Sequence, residues 1–364
     1  MRNHFVRSSL ATSTAEILDV DEVFGAVAYS GNGSTSGKAL TFGAGVDMLG
    51  KGGMGWVKCR EDGSTSHIIQ DSERGLGESN SSYGYTKILL ADQNRSEGYN
   101  QYPQGFIKEL TSTGYKVARG SSSTSNDGAN KVSHDYVAYA FRKAAGFFDI
   151  KTWTGNGVSG REIAHDLDSV PGAIWIKKTS GSADWWCYHR QTASSSPEDY
   201  YLVLNETDSK VNQSSFMNDT APTSTHFTLG NSDNVNGNSQ TYVAYIFGHN
   251  DARFGSSQDK SIIHCGGYYG NGSTNGTTVN IGWRPQFLIF KNPSNSSMHW
   301  RMYDTERGIN AGNDPRLMPN TDEAEQNTFD KLDLTSTGFQ LQHTGSDMNQ
   351  NNTLITYIAI REAW

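Results

Sequence analysis

Apolar residues recur at every second position in short runs along this chain, the period of a half-buried β-strand, and no stretch keeps a 3.6-residue stripe. In the middle of the chain the pattern predicts strands at Phe147–Trp153, Gly172–Lys178, Trp185–Arg190, Tyr200–Asn205, His226–Leu229 and Thr241–Phe247. The last of these is apolar on both faces, since Tyr242, Ala244 and Ile246 alternate with Val243, Tyr245 and Phe247. A central strand, or one covered by a neighbouring unit, has that character. The best helix candidate is the short polar stretch Asp322–Gln326, so helix is expected to be a minor component.

The pattern repeats. Tyr29-Ser-Gly-Asn-Gly, Trp153-Thr-Gly-Asn-Gly and Tyr269-Gly-Asn-Gly open three stretches, and Asp135-Tyr-Val-Ala-Tyr, Thr241-Tyr-Val-Ala-Tyr and Thr356-Tyr-Ile-Ala-Ile close them. Leu110-Thr-Ser-Thr-Gly-Tyr returns as Leu334-Thr-Ser-Thr-Gly-Phe, with Ser224-Thr-His-Phe between, and Asp71-Ser-Glu-Arg-Gly returns as Asp304-Thr-Glu-Arg-Gly. Four matches in one order at a period of about 115 residues predict three copies of one unit. The expected fold is all-β: an extended N-terminal arm (residues 1–21), then three tandem β-sandwich domains at 22–145, 146–251 and 252–364, jelly-roll-like or lectin-like.

Composition agrees with many short strands joined by turns. Of 364 residues 39 are Gly and only eight are Pro, and Asn and Ser crowd runs such as Asn349–Asn352; Gly and Asn supply the positive φ of tight turns. A net charge of −8 with no basic cluster argues against nucleic acid as a partner. Cys59, Cys187 and Cys265 form no CxxC pair and no even framework, which suits folding in a reducing cytoplasm. The first twenty residues lack the apolar core of a signal peptide, and no run of about 18 apolar residues predicts a membrane span.

Phe147-Phe-Asp-Ile, Ser169-Val-Pro-Gly-Ala-Ile-Trp-Ile-Lys-Lys, Asn218-Asp-Thr-Ala-Pro-Thr-Ser-Thr-His-Phe, Ser261-Ile-Ile-His-Cys-Gly and Asn280-Ile-Gly-Trp-Arg-Pro-Gln carry a resemblance. From residue 22 to the end, the chain resembles a family of repeat domains of unknown biochemical function. That family is common in structural proteins of marine tailed phages and often called tail-fibre-like. The resemblance implies a non-enzymatic virion component, either a tail-fibre-like binder of host-surface glycan or a capsid decoration, head-fibre or cement protein without a ligand. It brings no catalytic residues and no cofactor. Other virion proteins would be met through the arm. Fibres of this kind are often homotrimers; with no heptads and no short repeats here, a trimer would form through the domain sides.

Asp71 with Glu73, and Asp304 with Glu306, are the best carboxylate pairs for a glycan depolymerase, but His189 and Gln191 replace them in the middle copy. Their leading reading is therefore structural, ending a strand and anchoring a turn. Asn231–Asn236 and Ser346–Asn351 offer oxygen ligands without the spaced carboxylates of a calcium loop, so they are expected to be hairpin turns. No metal site is expected. Sugar rings stack on exposed aromatic faces, and Trp186 with Tyr188 is the candidate glycan- or partner-binding patch, against packing under a loop or on the next copy.

Overall fold

The computed structural model describes residues 16–77, 86–98, 105–120, 128–309 and 312–364. The chain is nearly all β, 39% strand and 4% helix. Its first part carries β1 (Phe24–Ser30), β2 (Lys38–Thr41), β3 (Gly53–Cys59), β4 (Ile68–Asp71), β5 (Leu89–Leu90), β6 (Phe106–Thr111), β7 (Gly114–Ala118) and β8 (Asp135–Arg142). The middle carries β9 (Phe148–Thr154), β10 (Arg161–Ala164), β11 (Ala173–Lys178), β12 (Trp186–His189), β13 (Tyr200–Val203), β14 (Val211–Asn212), β15 (His226–Leu229) and β16 (Thr241–Phe247). The last carries β17 (Ile263–Tyr269), β18 (Thr278–Asn280), β19 (Pro285–Lys291), β20 (Arg301–Asp304), β21 (Leu332–Thr335), β22 (Gly338–Leu341) and β23 (Leu354–Arg361).

Each part forms one large and one small antiparallel sheet. The large sheets run β1-β8-β3-β4-β5, β9-β16-β11-β12-β13-β14 and β17-β23-β19-β20, so the closing strand always lies between the first and the third. The small sheets are β2-β7-β6, β10-β15 and β18-β22-β21. Between the sheets of each segment lies a separate apolar core, for example Trp153, Ile176, Trp186, Phe227 and Tyr242 in the middle one. The opposite faces of the three large sheets meet in a fourth core shared by all segments, with Trp56, Tyr139, Trp175, Tyr245, Phe287 and Ile360 among its members. Trp56 and Trp175 meet edge to face at 6.0 Å, and Tyr139 and Phe287 at 5.3 Å, in the geometry aromatic pairs favour. The two-faced apolar pattern of the closing strands has its cause here: one face fills a sandwich, the other the common core.

Three backbone hydrogen bonds carry this arrangement round in a circle. Glu97 N–H donates to Thr179 O at 3.1 Å, Lys210 N–H to Pro293 O at 2.7 Å, and Glu325 N–H to Arg60 O at 2.7 Å. The acceptors stand two residues beyond Lys177, Lys291 and Lys58 at the ends of the three third strands, so segment one meets two, two meets three, and three returns to one. The ring is closed within a single chain.

All six strands expected in the middle of the chain are present, within one or two residues of the expected ends. Two were not expected: β10 has four residues, too few to show a period, and β14 has two exposed ones. Asp322–Gln326 is not helical, because Glu325 is drawn to Arg60 and Gln326 pairs with Arg316. Among the described residues the α-helices are single turns, α1 (Met48–Lys51) and α2 (Ser214–Met217). Of the arm expected over residues 1–21, residues 1–15 lie outside the described residues. Leu18 and Val20 belong to the shared core, and Glu16 pairs with Arg142 at 2.7 Å and Lys51 at 3.1 Å.

Candidate functional site

The carboxylates singled out as possible acids lie in the seams. Asp71 ends β4 and accepts hydrogen bonds from Arg74 N at 2.9 Å and Arg74 Nε at 2.6 Å, while Tyr245 of the next segment donates its hydroxyl to it at 2.7 Å. Asp304 ends β20 and repeats the arrangement with Arg307 N at 2.9 Å, Arg307 Nε at 2.6 Å and the Tyr139 hydroxyl at 2.6 Å. Both carboxylates are fully buried. Burial works against the charge of each guanidinium, but the adjoining carboxylate and tyrosine outweigh it and hold Arg74 and Arg307 above their ordinary values. Burial pushes the Tyr139 and Tyr245 hydroxyls upward, so both remain donors. Glu73 and Glu306, the second members of the pairs, do not share these buried pockets; Glu73 reaches Lys143 at the surface. Each Asp-x-Glu-Arg-Gly is thus a turn anchor and an inter-segment lock.

The third seam is built differently. His189 stands where Asp71 and Asp304 stand, and Ile360 stands where Tyr139 and Tyr245 stand, so acid and hydroxyl are lost together. His189 Nε2 instead meets Tyr357 O across the seam at 3.0 Å. Around it gather His249 and His264, their rings 4.8 Å apart, with His264 Nδ1 at 3.1 Å from the Tyr357 hydroxyl. Burial and the charge of Arg190 lower all three imidazoles, to about 4 for His189, about 3 for His249 and about 4 for His264.

Other seam contacts recur around the ring. Trp185 Nε1 donates to Leu90 O and Trp300 Nε1 to Val203 O, each at 2.8 Å. His67 takes the tryptophan's place in the first segment. Lys58 reaches Asp322 O at 3.1 Å and Lys291 reaches Thr207 O at 2.7 Å across seams, while Lys177 turns to Ala183 O in its own segment. Burial lowers all three ammonium groups, Lys177 to about 7 and Lys291 to about 8. These lysines were not singled out in the sequence, although each lies near the end of an apolar third strand at one aligned position.

Trp186 and Tyr188 do not form a surface patch. They are 7% and 4% exposed and point into the middle sandwich, where Trp186 stacks on Tyr201 with ring centres 4.0 Å apart. Both pack within the core of their own segment. The Asn-rich runs are turns whose key amides are spent internally. Asn236 Oδ1 accepts Asn156 N at 3.1 Å, and its Nδ2 donates to Asn156 Oδ1, Val158 O and Gly230 O. Asn349 makes the same set with Asn271, Ser273 and His343, and Asn130 ties Asn32 and Ser34 in the first segment. No group of three or more His, Cys, Asp or Glu among the described residues has metal-binding geometry.

Above the Asp71 lock the first seam opens into a groove of about 440 Å³, with Lys87, Glu97, Thr152, Thr154, Thr179 and Thr241 in its walls. A different surface feature stands on the third segment. Phe329 is 49% exposed in the long loop between β20 and β21, with Lys331 Nζ 5.3 Å and Arg316 Cζ 6.0 Å from its ring centre. No motif marks it, since the first two segments carry no counterpart of that sequence.

One comparison identifies a family. Residues 19–363 match the family described as a domain of unknown function (DUF7483), and the chain belongs to it. The match runs through all three segments as one unit. No curated protein and no solved structure matches the chain.

Proposed function

We propose that this DUF7483 chain is a non-enzymatic structural protein of a tailed-phage particle, three copies of one β-unit closed into a ring, which recognises host-surface glycan. The observation that carries the reading is the use made of Asp71 and Asp304. The side chains best suited to acid–base work are fully buried and spend their hydrogen bonds holding segments together. A glycosidase needs its two carboxyls facing substrate. What such a ring offers instead is a rigid body with loops around it, suited to display, and the resemblance of its motifs to tail-fibre-like proteins gives the setting. Several copies on a symmetric particle would turn weak glycan contacts into avidity. A decoration or cement role without a ligand is the second reading, favoured by the compactness of the shared core.

Mass spectrometry of purified particles should find this chain, and antibody labelling in electron micrographs should place it on the tail. Labelling of capsid faces would favour decoration, and absence from particles would overturn the virion assignment. Host envelope polysaccharide incubated with the protein should keep its length; shortened products would overturn the non-enzymatic reading.

A further inference from the structure

We propose that the Phe329 loop of the third segment is a saccharide-binding site, with the Phe329 ring as stacking platform and Asp330, Asp314, Arg316 and Lys331 as its polar rim. This rests on the glycan-recognition reading above and assigns it a place.

Three observations converge there. Phe329 is half-exposed, as Tyr269 and Trp364 are elsewhere, and its ring is held from one side by His343, whose ring lies 5.5 Å away at 62°. Sugar rings stack on such faces through their C–H surfaces, as other apolar groups do. The two cations beside it supply donors for hydroxyl oxygens.

Second, buried polar atoms without hydrogen-bond partners concentrate in this loop: Asp314 Oδ1, Arg316 Nε and Asp330 Oδ1. Such atoms are rare in folded proteins and call for a partner, because each costs about 1–3 kcal/mol when left unpaired. Asp314 is 1% exposed and bound directly to the segment that carries Phe329. Its N–H donates to Phe329 O at 3.0 Å, and its Oδ2 accepts Lys331 N at 2.6 Å and Leu332 N at 3.0 Å, which leaves Oδ1 free. Arg316 and Asp330 are only partly buried, so a side-chain rotation turns each toward a ligand.

Third, the charges balance. Arg316 and Lys331 stand beside the Phe329 ring, close in sequence to Asp314 and Asp330, and burial, with Asp330 and Asp333 nearby, raises the Asp314 carboxyl to about 6. A rim of two cations and two carboxyls holds donors and acceptors side by side and complements hydroxyls, which donate and accept at once, better than it complements a strongly charged ligand. The ligand class is a neutral saccharide.

The test measures adsorption of the purified full chain to host cells, with and without periodate oxidation of surface glycan, for wild type, Phe329→Ala and Asp330→Asn. Both changes lie at a partly exposed loop, and an unchanged melting temperature checks folding. Wild type should adsorb in a periodate-sensitive manner, Phe329→Ala should lose about tenfold in affinity, and Asp330→Asn should weaken binding while retaining some. Periodate-sensitive adsorption that both variants retain in full would overturn this site and leave the glycan reading standing. Adsorption insensitive to periodate in wild type would overturn the glycan reading itself. Binding abolished by EDTA and unaffected by Phe329→Ala would assign recognition to a bound cation and also overturn the site.

Discussion

At the residue scale, identical small devices recur at corresponding places. Gly31, Gly155 and Gly270 pack so closely on the loop before the closing strand that a Cβ would overlap the carbonyl oxygens of Lys131, Gly237 and Gln350. Gly33, Gly157 and Gly272 hold φ of +67°, +70° and +66°, which a side chain resists. The buried asparagines lock the same turns, and Asn236→Ala would strand Asn156 N, Val158 O and Gly230 O at once. The expected loss is about 2–4 kcal/mol, read as a lower midpoint in urea with the slope unchanged. These turns were legible in the sequence because Gly-Asn-Gly is short and local. The residue before them was less so: Tyr268, not Tyr269, holds the place of Tyr29 and Trp153, giving its hydroxyl to Met348 O at 2.7 Å while Tyr269 is exposed. Trp186 and Tyr188 stood open between a surface patch and packing because their strand has both faces covered, and alternation alone does not reveal a second cover.

At the scale of elements, the three seams differ in chemistry and therefore in their response to mutation and pH. Tyr245→Phe removes one donor to buried Asp71, and Tyr139→Phe does the same for Asp304; each should cost about 1–3 kcal/mol. The two costs should add in the double variant, since the locks share no residue. Calorimetric midpoints of the four proteins check this. The His189 seam should respond to acid. Unfolded histidine takes its proton near pH 6.5, whereas His189, His249 and His264 do so only near pH 3–4, beside Arg190, Cys265 and Tyr357. Between those values the unfolded chain binds more protons, so stability should fall as pH drops from 6.5 toward 4 and level off below. His189 alone contributes on the order of 3 kcal/mol to that fall. His189→Gln keeps a donor for Tyr357 O and loses the titration, so its melting temperature should decline less steeply over that range. The strands of each seam were legible from alternation, and the loss of Asp-x-Glu-Arg-Gly in the middle copy was visible. Its counterpart, Ile360 in place of tyrosine, was not connected to it, because the partners lie over a hundred residues apart.

At the scale of the whole molecule, periodicity predicted three units but not that they close on one another. Closure follows from the apolar outer faces of three large sheets, each too extensive to leave in water, meeting around Trp56, Trp175 and Phe287. A segment cut out by itself would expose its share of that core, so residues 146–251 alone should aggregate or bind a hydrophobic dye. The shared core also makes the segments interdependent, and that is the claim the structure bears on most heavily. Differential scanning calorimetry of the intact chain tests it directly. One cooperative transition with equal calorimetric and van't Hoff enthalpies is expected; two or three resolved transitions, each with the enthalpy of a single segment, would contradict the interdependence of the segments.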